Sequence, residues 1–101
     1  MKATEEFIGK KVIIRAYGAG VFYGTLNEVD GDTVELTHAR RLWYWDGAAS
    51  LSQLAAEGVK APENCKFTVA VDNIVINKVV EIIHATGEAQ ESIEAVKVWK
   101  R

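Results

Sequence analysis

The chain contains one cysteine, one proline and one methionine in 101 residues. Cys65 alone can form neither an internal disulfide nor a multi-cysteine metal site, which fits a reducing compartment. Long apolar runs are also missing. The longest spans residues 42–45, far below the roughly 20 residues needed to cross a bilayer. Residues 1–6 (MKATEE) offer no apolar core for an export signal, so a cytoplasmic location is expected. Nor is there an excess of either charge. Twelve Lys and Arg oppose fourteen Asp and Glu, for a net −2. A broadly cationic surface for long nucleic acid is therefore not expected.

Catalytic patterns are equally scarce. His38 and His84 stand far apart with no nearby carboxylate to orient either ring, and neither HExxH nor CxxC occurs. Gly18-Ala19-Gly20 is too short for a phosphate loop and joins two strand-like segments. Cys65 reads as a small buried hydrophobe rather than a nucleophile. These features lead to the expectation of no metal, no cofactor, no catalytic set and no enzymatic activity.

What is present is ordinary globular material: 49% hydrophobic and 26% charged residues. Two halves of this chain would each sit near the lower limit for a self-supporting core, so residues 1–101 read as one domain. Residues 10–17 are rich in β-branched side chains and predict a strand. After the Gly-Ala-Gly turn, residues 21–28 predict the second arm of a hairpin. Asp30-Gly31-Asp32 is the strongest turn signal. Residues 33–37 alternate as a half-buried strand does, and residues 40–45 form a fourth extended segment closed by Asp46-Gly47.

Helical signals then begin. Ser50 and Gln53 are spaced as a capping box, Leu51, Leu54 and Ala55 share a face, and Gly58 suits a left-handed C-cap. Two more strands are expected at residues 67–71 and 74–83, turning at Asp72-Asn73. The unbroken hydrophobicity of Val79, Val80, Ile82 and Ile83 suggests cover on both sides. Thr86 caps a final helix of about 14 residues, whose buried stripe reads Ala89, Ile93, Val96 and then Trp99/Lys100. The expected class is α+β: an antiparallel meander or half-barrel of about six strands, a short middle helix and a C-terminal helix. One such helix covers one sheet face, so the other face must curl on itself or meet another chain.

The most distinctive stretch is Arg40-Arg41-Leu42-Trp43-Tyr44-Trp45. It holds three of the nine aromatics and two of the four arginines. On a strand, Arg40, Leu42 and Tyr44 fall on one face, and Arg41, Trp43 and Trp45 on the other. Forked guanidinium donors suit phosphates, and indole faces suit stacked bases. Arg15 and Tyr17 share a face of the first strand and would join them if the two strands were neighbours. The competing interpretation is structural: the Trp rings pack beneath a helix or at a subunit interface, and the arginines pair with Glu35 or Asp46.

Residues 11–24 (KVIIRAYGAGVFYG), with the blocks at residues 39–48 (ARRLWYWDGA) and 50–55 (SLSQLA), resemble small bacteriophage proteins of the first Thoeris anti-defence family, over residues 11 to about 83. The resemblance implies a sponge, not an enzyme. Such proteins hold intact the cyclic ADP-ribose isomers made by bacterial TIR-domain immune enzymes, some also holding cyclic oligonucleotides. It further implies a homo-oligomer, with a hexamer as one form, acting in the cytoplasm of an infected bacterium. Arg15, Arg40 and Arg41 become phosphate partners, and Phe67 and Asn77 become adenine-stacking and polar-recognition residues. For Phe67 the alternative is a core aromatic, and for Asn77 a turn residue. The Trp99-Lys100-Arg101 end would complement the final helix dipole or serve a second anion site. Two other functions stay open: a phage structural or adaptor protein with an aromatic interface, and a small single-stranded nucleic-acid module.

Overall fold

The structure is a computed structural model and describes residues 2–101. A one-turn helix, α1 (Lys2–Glu5), precedes three long strands, β1 (Lys11–Ala16), β2 (Gly20–Asp30) and β3 (Thr33–Tyr44). Helix α2 (Leu51–Glu57) and a 3-10 turn (Pro62–Asn64) follow. Then come β4 (Lys66–Phe67), β5 (Val71–Ile76), β6 (Val79–His84) and α3 (Gly87–Ala95). All six strands join one antiparallel sheet in the order β4-β3-β2-β1-β6, with β5 also on β3. The expected α+β class, strand number and two helices hold.

The sheet curls until its two ends, β5 and β6, meet at the Asn77-Lys78 turn. That turn is tied down on both sides: Tyr17 N donates to Lys78 O (2.9 Å), and Val79 N donates to Asp32 O (2.9 Å). Curling gives the sheet two cores. The concave side holds Val12, Ile14, Phe22, Leu26, Val34, Leu36 and Ile76. The convex side holds Ile13, Tyr23, Leu42 and Phe67 beneath α2 and α3, which add Leu54, Ala89 and Ile93. Strand β1 is covered on both faces, with Val12, Ile13 and Ile14 fully buried. Strand β6, expected to be covered on both sides, is partly so: Ile83 packs on the convex core and Val79 and Ile82 on the concave one, while Val80 is exposed.

Three strand boundaries differ from expectation. The third and fourth extended segments are one strand, because a bulge absorbs the intervening residues rather than a turn. Tyr23 opposes Arg40 while Thr25 opposes Thr37, so Gly24 faces the extra residue. His38 sits there at φ 52°, a conformation L-residues enter at a cost. A Cβ on Gly24 would lie 3.0 Å from Thr37 O and 3.1 Å from Ala39 Cα, so only glycine lets the strands approach this closely. The second difference is in residues 74–83, which break at Asn77-Lys78 instead of running as one strand. The third is in residues 67–73: β4 ends at Phe67, and β5 runs through the expected Asp72-Asn73 turn, because Val71 and Asn73 pair with Ala39 and Thr37 of β3.

Both helix N-termini follow their sequence signals. Gln53 N donates to Ser50 Oγ (3.1 Å), and Ala89 N donates to Thr86 Oγ1 (3.1 Å). The Gln53 side chain accepts from Ala49 N (2.7 Å), one residue before the expected amide of Ser50. Gly58 closes α2 at φ 79°. Helix α3 stops at Ala95, so Trp99-Lys100-Arg101 lies past its end. Trp99 N instead donates to Phe67 O (2.9 Å), laying the tail beside β4.

Candidate functional site

The His38 bulge decides the fate of the Arg-Arg pair. Before it, Val34 and Leu36 face the concave core; after it, Ala39 and Arg41 do, and Arg40 turns to the convex side with Leu42. Arg40 is 7% exposed. Its Nε donates to Thr68 O (2.8 Å), Nη1 to Ile93 O (2.8 Å), and Nη2 to Val96 O (2.6 Å) and Phe67 O (3.5 Å). Its plane also lies over the Phe67 ring. Arg40 therefore caps the carbonyl end of α3 and ties it to β4. This is the cation that complements the α3 dipole, in place of the C-terminal basic residues. Burial lowers its pKa below the ordinary arginine value. Its expected role as a phosphate partner is corrected here, because four of its five N–H donors are committed to backbone carbonyls.

Arg41 has the opposite environment. It is exposed, its guanidinium carbon lies 4.7 Å from the centre of the Phe22 ring, and no carboxylate pairs with it among the described residues. Arg41 N donates to Thr68 Oγ1 (3.1 Å), which fixes the strand against the chain leaving β4. Phe22, Ala39, Arg41, Thr68, Val69 and Ile74 line a hollow of about 210 Å³. Trp43, two residues along the strand, is 64% exposed, and Tyr44 is exposed beside it. A guanidinium with no carboxylate partner among the described residues, held over a phenyl ring and with an exposed indole two residues along, can bind a phosphate and stack a base.

The other expected site residues do not gather here. Strand β2 runs between β1 and β3, and Arg15 shares the convex face of Ile13 while Arg41 is concave. Arg15 Nε instead pairs with Glu81 Oε1 (2.6 Å), its cross-strand neighbour. Tyr17 is exposed at the far end of β1, against the β5–β6 turn. Trp45 lies past the end of β3 and packs on the convex core, apart from Trp43. Phe67 is fully buried, so its adenine-stacking role is corrected to that of a core aromatic. Asn77 occupies the β5–β6 turn, where its Oδ1 accepts from Thr33 Oγ1 (3.0 Å). That is the turn alternative. Cys65 is buried near Asp46, and burial raises its thiol pKa.

Two features had no sequence signal. Thr68 frames the Arg41 hollow from 27 positions away. Tyr23 and Glu94, 71 positions apart, meet on the convex face: the Tyr23 hydroxyl donates to Glu94 Oε2, and Lys11 Nζ stands 3.6 Å from the same oxygen. Burial and the adjacent carboxylate push the Tyr23 pKa well above the ordinary phenol value.

Fold and hollow together define a small α+β protein with a curled six-stranded sheet and, among the described residues, an aromatic-backed arginine, Arg41, without a carboxylate partner. Residues 9–93 match the model of a family described as a domain of unknown function, DUF6948. That span covers most of the chain, and the chain belongs to this family. No curated protein matches it. No helix among the described residues is long and apolar enough to cross a membrane.

Proposed function

We propose that this protein is a non-enzymatic binder that sequesters a small cyclic nucleotide. The ligand is a cyclic ADP-ribose isomer, held intact in the cytoplasm of an infected bacterium and so kept from TIR-based defence effectors. The observation that carries the reading is Arg41: an exposed guanidinium over the Phe22 ring, without a carboxylate partner among the described residues, with Trp43 exposed two residues along the strand. A phosphate paired with Arg41 leaves the attached base within reach of an indole face. The hollow is too small to enclose a whole dinucleotide, so the reading requires a neighbouring copy to complete the site. Exposed Val71 and Val75 on β5, Val80 on β6 and Val69 just before β5 support self-association.

The same exposed apolar residues favour a second reading, in which Trp43 and the valines form an assembly interface of a structural or adaptor protein. One experiment separates the two. The purified protein is incubated with cyclic ADP-ribose isomers, desalted and heat-denatured, and the released nucleotide is measured. Retention of unchanged ligand by the wild type, and its loss in Arg41→Ala with assembly intact, supports the sponge. No retention by the wild type, with Trp43→Ala breaking assembly, supports the interface. Release of cleaved ligand would show an enzyme.

A further inference from the structure

A second hollow, of about 330 Å³, opens on the convex face beside the end of α3. Lys11, Tyr23, His38 and Arg40 supply its sheet side, and Glu94 and Val96 come from α3 and its cap. Ala70 and Val98 complete an apolar wall. The charges around it do not cancel. Glu94 is matched by Lys11 at 3.6 Å and by the Tyr23 hydroxyl. Arg40, buried and cationic, has no carboxylate partner among the described residues. Its hydrogen bonds engage Nε, both Nη2 hydrogens and one Nη1 hydrogen, leaving one N–H without a protein acceptor. A buried charge balanced only by carbonyl dipoles gains from an anion brought close in a site of reduced dielectric. His38, the bulge residue in the left-handed region, borders the same hollow, and bulges are over-represented where a strand presents side chains to a ligand.

We propose that this hollow binds a small organic monoanion, a carboxylate with a short apolar chain. The carboxylate lies toward Arg40, His38 and Lys11, and the chain lies against Ala70, Val96 and Val98. One charge fits and two do not: the surplus is a single positive charge, and Glu94 at the rim repels a dianion. This site is separate from the Arg41 hollow, which opens on the opposite face of the sheet, and it goes beyond the proposed function.

Butyrate, n-butylammonium and 1-butanol, at matched ionic strength, test the assignment by titration followed in amide NMR spectra. Butyrate should bind saturably and shift amides at Lys11, Tyr23, His38 and Glu94, and the cation and the alcohol should not. Glu94→Gln keeps an acceptor for Tyr23 and removes the repelling charge, so it should tighten butyrate binding about threefold or more; Lys11→Met should weaken it by a similar factor. Arg41→Ala should leave butyrate binding unchanged. The proposal fails if butyrate does not saturate, if all three probes act alike, or if Glu94→Gln weakens binding while the variant remains folded by urea titration.

Discussion

Replacing Arg40 by methionine tests the central assignment, because its neighbour Arg41 has the same chemistry and a different environment. Arg40 makes three bonds of 2.6 to 2.8 Å to the carbonyls of Thr68, Ile93 and Val96. A hydrogen bond from a charged donor contributes about 1.5–3 kcal/mol, so the three together reach about 5–9 kcal/mol. Removing the charge relieves a burial penalty of several kcal/mol, and methionine keeps most of the packing over Phe67. The net loss should be about 3–4 kcal/mol, a large share of the roughly 5–15 kcal/mol expected for a domain of this size. Urea unfolding should show the midpoint falling at constant slope, and Tm should drop by about 12 °C or more. Arg41→Met, on an exposed strand position, should cost about 0.5–1 kcal/mol and abolish nucleotide retention. Lysine at position 40 should fall between, since an ammonium cannot fork to β4 and α3 together. Equal losses for the two methionine variants, or a loss at Arg40 below about 1 kcal/mol, would refute the assignment of Arg40 to structure and Arg41 to ligand.

Three further outcomes follow from other contacts. Tyr23 is kept protonated in the fold, so stability should be full below pH 10. It should then fall by up to about 1.4 kcal/mol per pH unit as the unfolded chain's phenol ionises; urea titrations between pH 8 and 11 should lose this slope in Tyr23→Phe. Gly24→Ala forces a Cβ to 3.0 Å from Thr37 O and should cost about 1–3 kcal/mol by calorimetry, with Gly24→Val worse. The Thr86 hydroxyl donates to Ala56 O (2.6 Å) and accepts from Ala89 N (3.1 Å), linking α2 to α3. Thr86→Ala should therefore lose about 1–2 kcal/mol, and hydrogen exchange should speed up in the first turn of α3.

Local chemistry alone was enough to read the first hairpin, the Asp30-Gly31-Asp32 turn, both helix caps, the Gly58 stop and the α+β class, but not the bounds of the later strands. These are short-range effects: β-branched crowding, a hydroxyl reaching an amide three residues on, a glycine at positive φ. The Asn77 turn and the core place of Phe67 were visible only as alternatives, because a polar residue between hydrophobic runs, or a lone phenylalanine, fits several environments. The His38 bulge was not legible, since histidine carries no local signal for φ 52°. Yet that single extra residue flips the strand and sends Arg40 to the helix end and Arg41 to the hollow.

The sequence by itself determined which elements form, and that an arginine–aromatic block would be the distinctive surface. Only the tertiary structure decided which arginine is available. Strand order placed β2 between Arg15 and Arg41, and Glu81 took up Arg15 through cross-strand register. The carbonyls of α3, more than fifty residues away, claimed Arg40. The physical reason is range: capping and turn energies act within a few residues, whereas the partner of a long cationic side chain is set by whatever the folded chain brings within hydrogen-bonding distance.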